Sequence, residues 1–336
     1  NKKEHLMSIT IKDVAKKVGV TATTVSMVIR DDPRISSKTK EKVLKAVKEM
    51  NYYPNQIGRS LVKGKTNVIA VASSMFYGPF KIDIFNGIDT GVVETEYTTL
   101  HFSARAEQEA ELLKEIVYGR RADGVIAINM RTEKDTLQAY KETGLPIVFV
   151  EETFEGFSGV KGDSFKGAYK AADRFIKTGK KSIGLISSVY THLSCVIDRE
   201  KGFMQALADN GIKYDEKKTL RSTTYNFQEG QDLMDKIIHD KIQVDSVFCS
   251  AGDLVAMGMI KRAKEKGVKI PGDIAIIGYD GLDTGSLVTP SLTTLKQPVV
   301  SMGRAAFDML KKLMEEKDVK KEIKEFEPEL IIRESA

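Results

Sequence analysis

The sequence predicts a small all-α head followed by an α/β body of two doubly wound, parallel-sheet lobes. Three observations predict it. Residues 10–30 carry two short apolar stripes at helical spacing around a glycine. From Asn67 onward, β-branched runs alternate with amphipathic stretches, the pattern of parallel β/α layers. Charge divides at the same place: residues 1–65 hold 15 Lys+Arg against 6 Asp+Glu, a net of +9, and the remainder is net −4, within +5 for all 336 residues. A basic head on a mildly acidic body suggests a polyanion partner for the head.

Length suits two or three domains. With 41% hydrophobic and 29% charged residues the composition is that of a globular protein. No run of 18 apolar residues is present, so no membrane span is expected. The start, NKKEHLMS, lacks the apolar stretch of a secretory signal, and Met7 is a candidate natural start. Cys195 and Cys249 are too isolated for a disulfide framework or a zinc site, and His5, His101, His192 and His239 show no metal-ligand spacing. These features point to a reducing cytoplasm and to no metal or cofactor.

The head reads as follows. Thr10 caps a first helix, with Asp13 three residues on; Val14, Ala15 and Val18 share its apolar face. Gly19 supplies the turn, because a residue without Cβ takes positive φ at little cost. Thr21 caps a second helix with core positions Val25, Val28 and Ile29, leaving Ala22, Thr23, Ser26 and Met27 outward. Two helices and a glycine turn have the form of a helix-turn-helix, whose second helix lies in the DNA major groove. After Asp31-Asp32-Pro33, Ser36 or Ser37 starts a third helix to about Met50, with Val43, Leu44 and Val47 inward and five lysines around them.

Pro54 breaks that helix, and Asn55 caps a short segment, Gln56 to Val62. So short a helix is unstable alone in water and should form only when something packs on it, such as a second copy through Ile57 and Leu61. Gly64-Lys65-Thr66 is not a phosphate loop: five residues separate Gly58 from Gly64, and no strand precedes them.

In the body, strands are expected at Val68–Ala72, Thr98–Phe102, Gly124–Ile128, Ile147–Val150, Ile183–Ile186, Ser246–Phe248 and Ile274–Ile277. Helices between them include Ile82–Thr95, Ala106–Tyr118, Phe165–Thr178, Arg199–Asn210, Asn226–Asp240 and Leu254–Lys266. The series restarts near Ser182, which gives two similar lobes facing a cleft. Such lobes bind ligands beyond the carboxyl ends of their strands. The polar groups there are Ser73-Ser74, Glu151, Asp253 and Tyr279-Asp280, a set that suits a polyol. No GxGxxG, GxSxG, HExxH or paired-carboxylate motif accompanies them, so nothing asks for an enzyme. A free sugar-binding protein would use such a body but would need export and no basic head.

The chain resembles the lactose-repressor/galactose-repressor (LacI/GalR) family of bacterial transcription regulators over nearly its whole length. The matching residues are TIKDVAKKVGV, TTVS, RISSKTKEKV and NYYPN in the head, and GRSL and GKT in the hinge. In the body they are RRADGVI, LPIVFV, REKGF, GDLVAMG, IPGDIAIIGYD, PSLTTLKQP, MGRAA and ELIIRES. The resemblance implies a helix-turn-helix head over residues 1–54, a hinge helix and linker over 55–65, and a periplasmic-binding-protein-like core over 66–336. Its N-lobe would be 66–163 with 297–325, and its C-lobe 164–296 with 326–336. It implies a repressor that binds a near-palindromic operator as a homodimer under control of a small-molecule effector, a sugar or related metabolite. It leaves room for a protein co-effector and implies no membrane partner. No leucine-heptad tail follows ELIIRES, so a dimer and not a tail-joined tetramer is expected.

By the resemblance, the candidate DNA contacts are Thr10, Thr21, Ala22, Thr23, Ser26 and Met27 in the head, with Asn55, Arg59 and Leu61 in the hinge. Leu61 matches the leucine inserted into the minor groove at the operator centre, a wedge that unstacks a base step. Met27 stands where relatives carry an arginine, which reads guanine through two hydrogen bonds; methionine offers apolar contact only. Gly58 stands where alanine is usual, a helix cost of up to about 1 kcal/mol. The candidate effector residues are Ser73, Phe80, Glu151, Arg199, Asp253 and Asp280. Phe80 would stack on a ring, Arg199 would donate and Asp280 accept. Gly78 and Gly252 stand where relatives often have asparagine.

Overall fold

The computed structural model describes residues 9–53, 64–74 and 78–336, and the chain divides into two compact units, 1–66 and 67–336. The hinge residues Asn55, Gly58, Arg59 and Leu61 lie outside the described residues.

Among its described residues the first unit holds three helices, α1 (Ile11–Val18), α2 (Ala22–Ile29) and α3 (Ser37–Glu49). The Asp13 carboxylate accepts from the Thr10 N–H at 2.9 Å and its hydroxyl at 2.7 Å. Gly19 takes φ 78° and ends α1, its N–H donating to the Ala15 carbonyl. Thr21 Oγ1 accepts from the Thr24 N–H at 3.1 Å, and Ser36 Oγ from the Thr39 N–H at 3.4 Å. The three helices close on Val14, Val25, Val28, Val43, Ala46 and Tyr52.

The second unit contains two six-stranded sheets. One has the order β11-β5-β4-β3-β1-β2, the other β12-β10-β9-β8-β6-β7. The strands of the first are β1 (Val68–Ser74), β2 (Thr98–Ala104), β3 (Gly124–Ile128), β4 (Ile147–Val150), β5 (Ser158–Gly162) and β11 (Ile323–Phe326). Those of the second are β6 (Ile183–Ser188), β7 (Thr219–Ser222), β8 (Ser246–Cys249), β9 (Ala275–Asp280), β10 (Thr293–Lys296) and β12 (Glu329–Ile331). Every pairing is parallel except β10 with β12. The chain passes between the sheets three times: after β5, after β10 and after β11. β3, β4, β6 and β8 are buried throughout, as sheets covered on both faces require.

Helices pack both faces of each sheet, and glycine permits the closest approaches. A Cβ on Gly87 would stand 2.1 Å from the Val300 carbonyl oxygen, and one on Gly303 2.2 Å from that of Ile84. The second lobe repeats the device: a Cβ on Gly230 would meet the Val255 oxygen at 2.0 Å, and one on Gly258 the Phe227 oxygen at 2.0 Å.

Several elements differ from the expectation. β5, β7, β10, β11 and β12 carry no apolar run: β7, β11 and β12 lie at sheet edges, and the interior strands β5 and β10 are built largely of Ser, Gly and Thr. The helix expected from Arg199 begins at Ser194, and the one expected from Ile82 begins at Pro79, a residue suited to a first turn. Helices Lys134–Thr143 and Val299–Glu315 complete the layers. No described helix is long and apolar enough to cross a membrane.

Candidate functional site

On α2, Thr23 is exposed, Ser26 half-buried, and Ala22 packs partly against the head core. Met27 is half-buried but lies outside the apolar cluster that closes the head, so it belongs to the outward stripe. Thr10 and Thr21 are exposed and cap their helices. The head is basic on its outside, with only Lys17–Glu49, Arg34–Asp32 and Lys40–Asp31 pairing charges among the described residues.

In the body, the strand ends bring Glu151, Asp280 and the Gln297 crossover together with Arg199. Glu151 follows β4 at φ 70° and is 2% exposed; its Oε1 accepts from the Gly162 N–H at 3.1 Å. Asp280 ends β9 at φ 109°, and its Oδ1 accepts from Gln297 Nε2 at 3.3 Å. Gln297 is 3% exposed, and its Oε1 is buried with no partner among the described residues. A Cβ placed on Gly162 would lie 2.8 Å from that oxygen and 3.5 Å from Glu151 Oε1, so the two acceptors converge where glycine leaves room. Gln297 was legible only as one letter of the PSLTTLKQP motif; no local periodicity marks it.

Arg199 supplies the donor. Its Nη1 donates to the Ser250 carbonyl at 2.8 Å, its guanidinium carbon sits 3.7 Å from the Tyr279 ring centroid, and its Nε is buried with no partner among the described residues. It bonds neither carboxyl, but its charge acts on both Glu151 and Asp280. Burial pushes Glu151 up to about 7 against the pull of Arg199, and Asp280 up to about 6 in the same way.

Of the remaining expected residues, Asp253 lies beside Asp280, and Ser73 and Phe80 belong to the first lobe. Asp253 is wholly enclosed: its oxygens accept from Thr294 Oγ1 at 2.6 Å and the Leu282 N–H at 2.7 Å. Burial and the neighbouring Asp280 push it up to about 8. It stands beside Asp280 and bonds the loop that follows it through the Leu282 N–H. Ser73 is fully buried with its hydroxyl unpaired among the described residues, and Phe80 packs partly on the core of the first lobe. Beside them Lys81 Nζ bonds the Ser74 carbonyl, and burial lowers Lys81 to about 8.

Side chains outside the expected set also bridge the lobes, among them Lys161 Nζ with Asp198 Oδ2 at 3.9 Å. Arg131 Nε donates to His192 Nε2 at 2.8 Å, with Nη2 2.9 Å from Nδ1. The Glu152 carboxylate accepts from the Ser194 N–H at 3.0 Å and hydroxyl at 2.7 Å, one oxygen each. All join side chains distant in sequence, which no local pattern announces.

Comparison with known proteins agrees with this architecture. Residues 10–55 match the family model for bacterial regulatory proteins of the lacI family, and residues 172–336 that for a periplasmic binding protein-like domain. The HTH-type transcriptional repressor PurR of Mannheimia succiniciproducens is 30% identical over 332 residues, 97% of this chain and 98% of that protein. Among solved structures, the transcriptional regulator CelR in complex with cellobiose is 27% identical, with a TM-score of 0.73 over 98% of this chain and 100% of that one. The lac repressor dimer bound to operator and the anti-inducer ONPF shares the fold, with a TM-score of 0.83 at 22% identity over 97% of this chain and 98% of that one. The chain therefore belongs to the lacI family of bacterial regulatory proteins and is a DNA-binding transcription regulator, not an enzyme, whose two-lobed core answers to a small-molecule effector.

Proposed function

We propose that the chain is a repressor that holds a near-palindromic operator as a homodimer and changes its grip when a sugar or related polyol enters between the lobes. The head, residues 1–54, offers Thr10, Thr21, Ala22, Thr23, Ser26 and Met27 to the DNA. The hinge, 55–65, brings Asn55, Arg59 and Leu61 to the operator centre, where it orders on binding. The core is 66–336, with an N-lobe of 66–163 and 297–325 and a C-lobe of 164–296 and 326–336. In it Glu151, Arg199 and Asp280 hold the effector, Ser73 and Phe80 border it, and Asp253 stands beside Asp280.

The observation that carries this reading is the convergence of Glu151 and the orphaned Gln297 Oε1 beside Gly162, with Asp280 bonded to Gln297 and both carboxyls acted on by the Arg199 charge. Hydroxyl groups donate and accept at once, so a polyol can satisfy acceptors and donor together. The cellobiose held by the similar regulator CelR supports a saccharide. Control follows if the effector binds one lobe arrangement better than another, because a ligand shifts an equilibrium only by its differential affinity.

The test is a thermal-shift screen of the full chain against saccharides, ribose and cellobiose among them, and nucleobases, followed by operator binding with and without the hit. A saccharide should raise the midpoint and change operator affinity by roughly 5- to 150-fold. A nucleobase hit instead would replace the ligand class. A hit that leaves operator affinity unchanged would remove the regulatory role of the cleft.

A further inference from the structure

Ser26 and Arg30 are one helical turn apart, and the structure ties them together. Arg30 Nε donates to the Ser26 carbonyl at 3.2 Å, and Nη2 donates to Ser26 Oγ at 3.0 Å. Both bonds use one edge of the planar guanidinium. That group carries five N–H donors in a fixed fork, so its outer edge, Nη1 with the second hydrogen of Nη2, stays available. No described residue accepts from Nη1. No neighbouring acid forms an ion pair with it: Asp32, which feels its charge, is bonded by Arg34 Nε at 2.9 Å and Nη2 at 2.7 Å, and Asp31 pairs with Lys40.

Position adds to this. Arg30 is exposed, and with Thr23, Ser26 and Met27 it completes one stripe of α2, while Val25 and Val28 are buried behind it. Helical side chains lean toward the N-terminus, and the bonds to Ser26 draw the guanidinium back one turn along the stripe. Methionine at 27 leaves the recognition face without a two-donor group of its own. Guanine offers two acceptors, O6 and N7, in the major groove, and the free edge of a guanidinium matches them.

We propose that Arg30 is a base-reading residue of this head: Ser26 holds one edge of its guanidinium, and the other edge reads a guanine in each operator half-site. Ser26 is then a positioning residue for Arg30. A side chain fixed before binding loses less freedom when it docks. The proposal rests on the DNA-recognition reading of α2.

The experiment is selection of duplexes from a randomised library by the full chain, repeated with Arg30→Ala, Arg30→Lys and Ser26→Ala. Wild type should enrich a motif with a fixed G·C pair in each half-site. Arg30→Ala should lose preference at that pair by about ten- to a hundredfold while keeping the rest of the motif, which also shows that the head is folded. Arg30→Lys should lose it too, because charge remains but the fork does not. Ser26→Ala should weaken preference at the same pair by less. The proposal is overturned if Arg30→Ala leaves the motif unchanged. It is equally overturned if all sequences weaken alike and the salt slope drops by about one, the signature of a phosphate contact. A wild type that enriches no motif would remove the DNA-recognition reading together with this one.

Discussion

The guanidinium of Arg199 lies over the ring of Tyr279, 3.7 Å from its centroid, with Nη1 anchored on the Ser250 carbonyl at 2.8 Å. Stack and hydrogen bond fix the plane of the group whose charge acts on Glu151 and Asp280. Arg199→Lys keeps the charge but loses the fork and the planar stack. Charged hydrogen bonds are worth about 1.5–3 kcal/mol, so affinity for the effector identified by thermal shift should fall about tenfold or more. Calorimetric titration of the two proteins checks this; equal affinities would remove Arg199 from the site.

The pH dependence of stability follows from the same cluster. Burial raises Glu151 to about 7, Asp280 to about 6 and Asp253 to about 8. The folded chain thus keeps protons that the unfolded chain gives up above about pH 4. Their contribution is full below the unfolded values, falls from about pH 4 and is gone above about pH 8. Melting temperature should therefore decline across that window, and Glu151→Gln should flatten the decline. A variant with the wild-type slope would assign the pH dependence elsewhere.

The Arg131–His192 bridge makes a second pH prediction of opposite sign. Burial and the charge of Arg131 lower His192 below its usual value. A neutral imidazole has one acceptor nitrogen; a protonated one has none. This bridge is present above the ordinary histidine pKa and is lost as pH falls below it, through the lowered value. Arg131→Ala should increase the effector-free radius of gyration in small-angle scattering at neutral pH. Acidification should widen the wild type and leave the variant unmoved.

Gly230 and Gly258 set the spacing of two helices in the second lobe, where an added Cβ on Gly230 would stand 2.0 Å from the Val255 carbonyl oxygen. Backbone cannot yield as a side-chain tip can. Gly230→Ala should cost about 2–4 kcal/mol, a fall of roughly 5–10 °C in the melting temperature of so large a unit. A variant melting with wild type would mean that the helices separate without cost.

Legibility in the sequence followed physical range. The interior strands β3, β4, β6 and β8 are runs of apolar residues because both faces are covered, and such runs identify themselves. β7 and β11 sit at or near sheet edges, where solvent relaxes the demand for apolar side chains. β10 hides Thr293 and Thr294 completely, which looks polar in sequence and is stable only because Asp253, Arg333 and Ser335 supply their partners. The candidate cleft was half legible. Glu151 and Asp280 are found as strand ends, whereas Asp253 has the right type and motif but spends both oxygens on Thr294 and Leu282.

By itself the sequence determined the three head helices and their caps, the alternation of the body, the separation of charge and the motifs that mark the family. All of these depend on residues within a turn, a strand or a short motif of each other. Tertiary structure alone decided that Gln297 faces Glu151, that Ser250 orients Arg199, that Glu152 meets Ser194 and that Arg131 meets His192. These pairs are separated by 42 to 61 residues in the three cases bonded directly, and more for the first. Periodicity carries no information over such distances; chain crossings between two packed sheets create the meeting, and burial then makes each unpaired donor or acceptor costly enough to fix its partner.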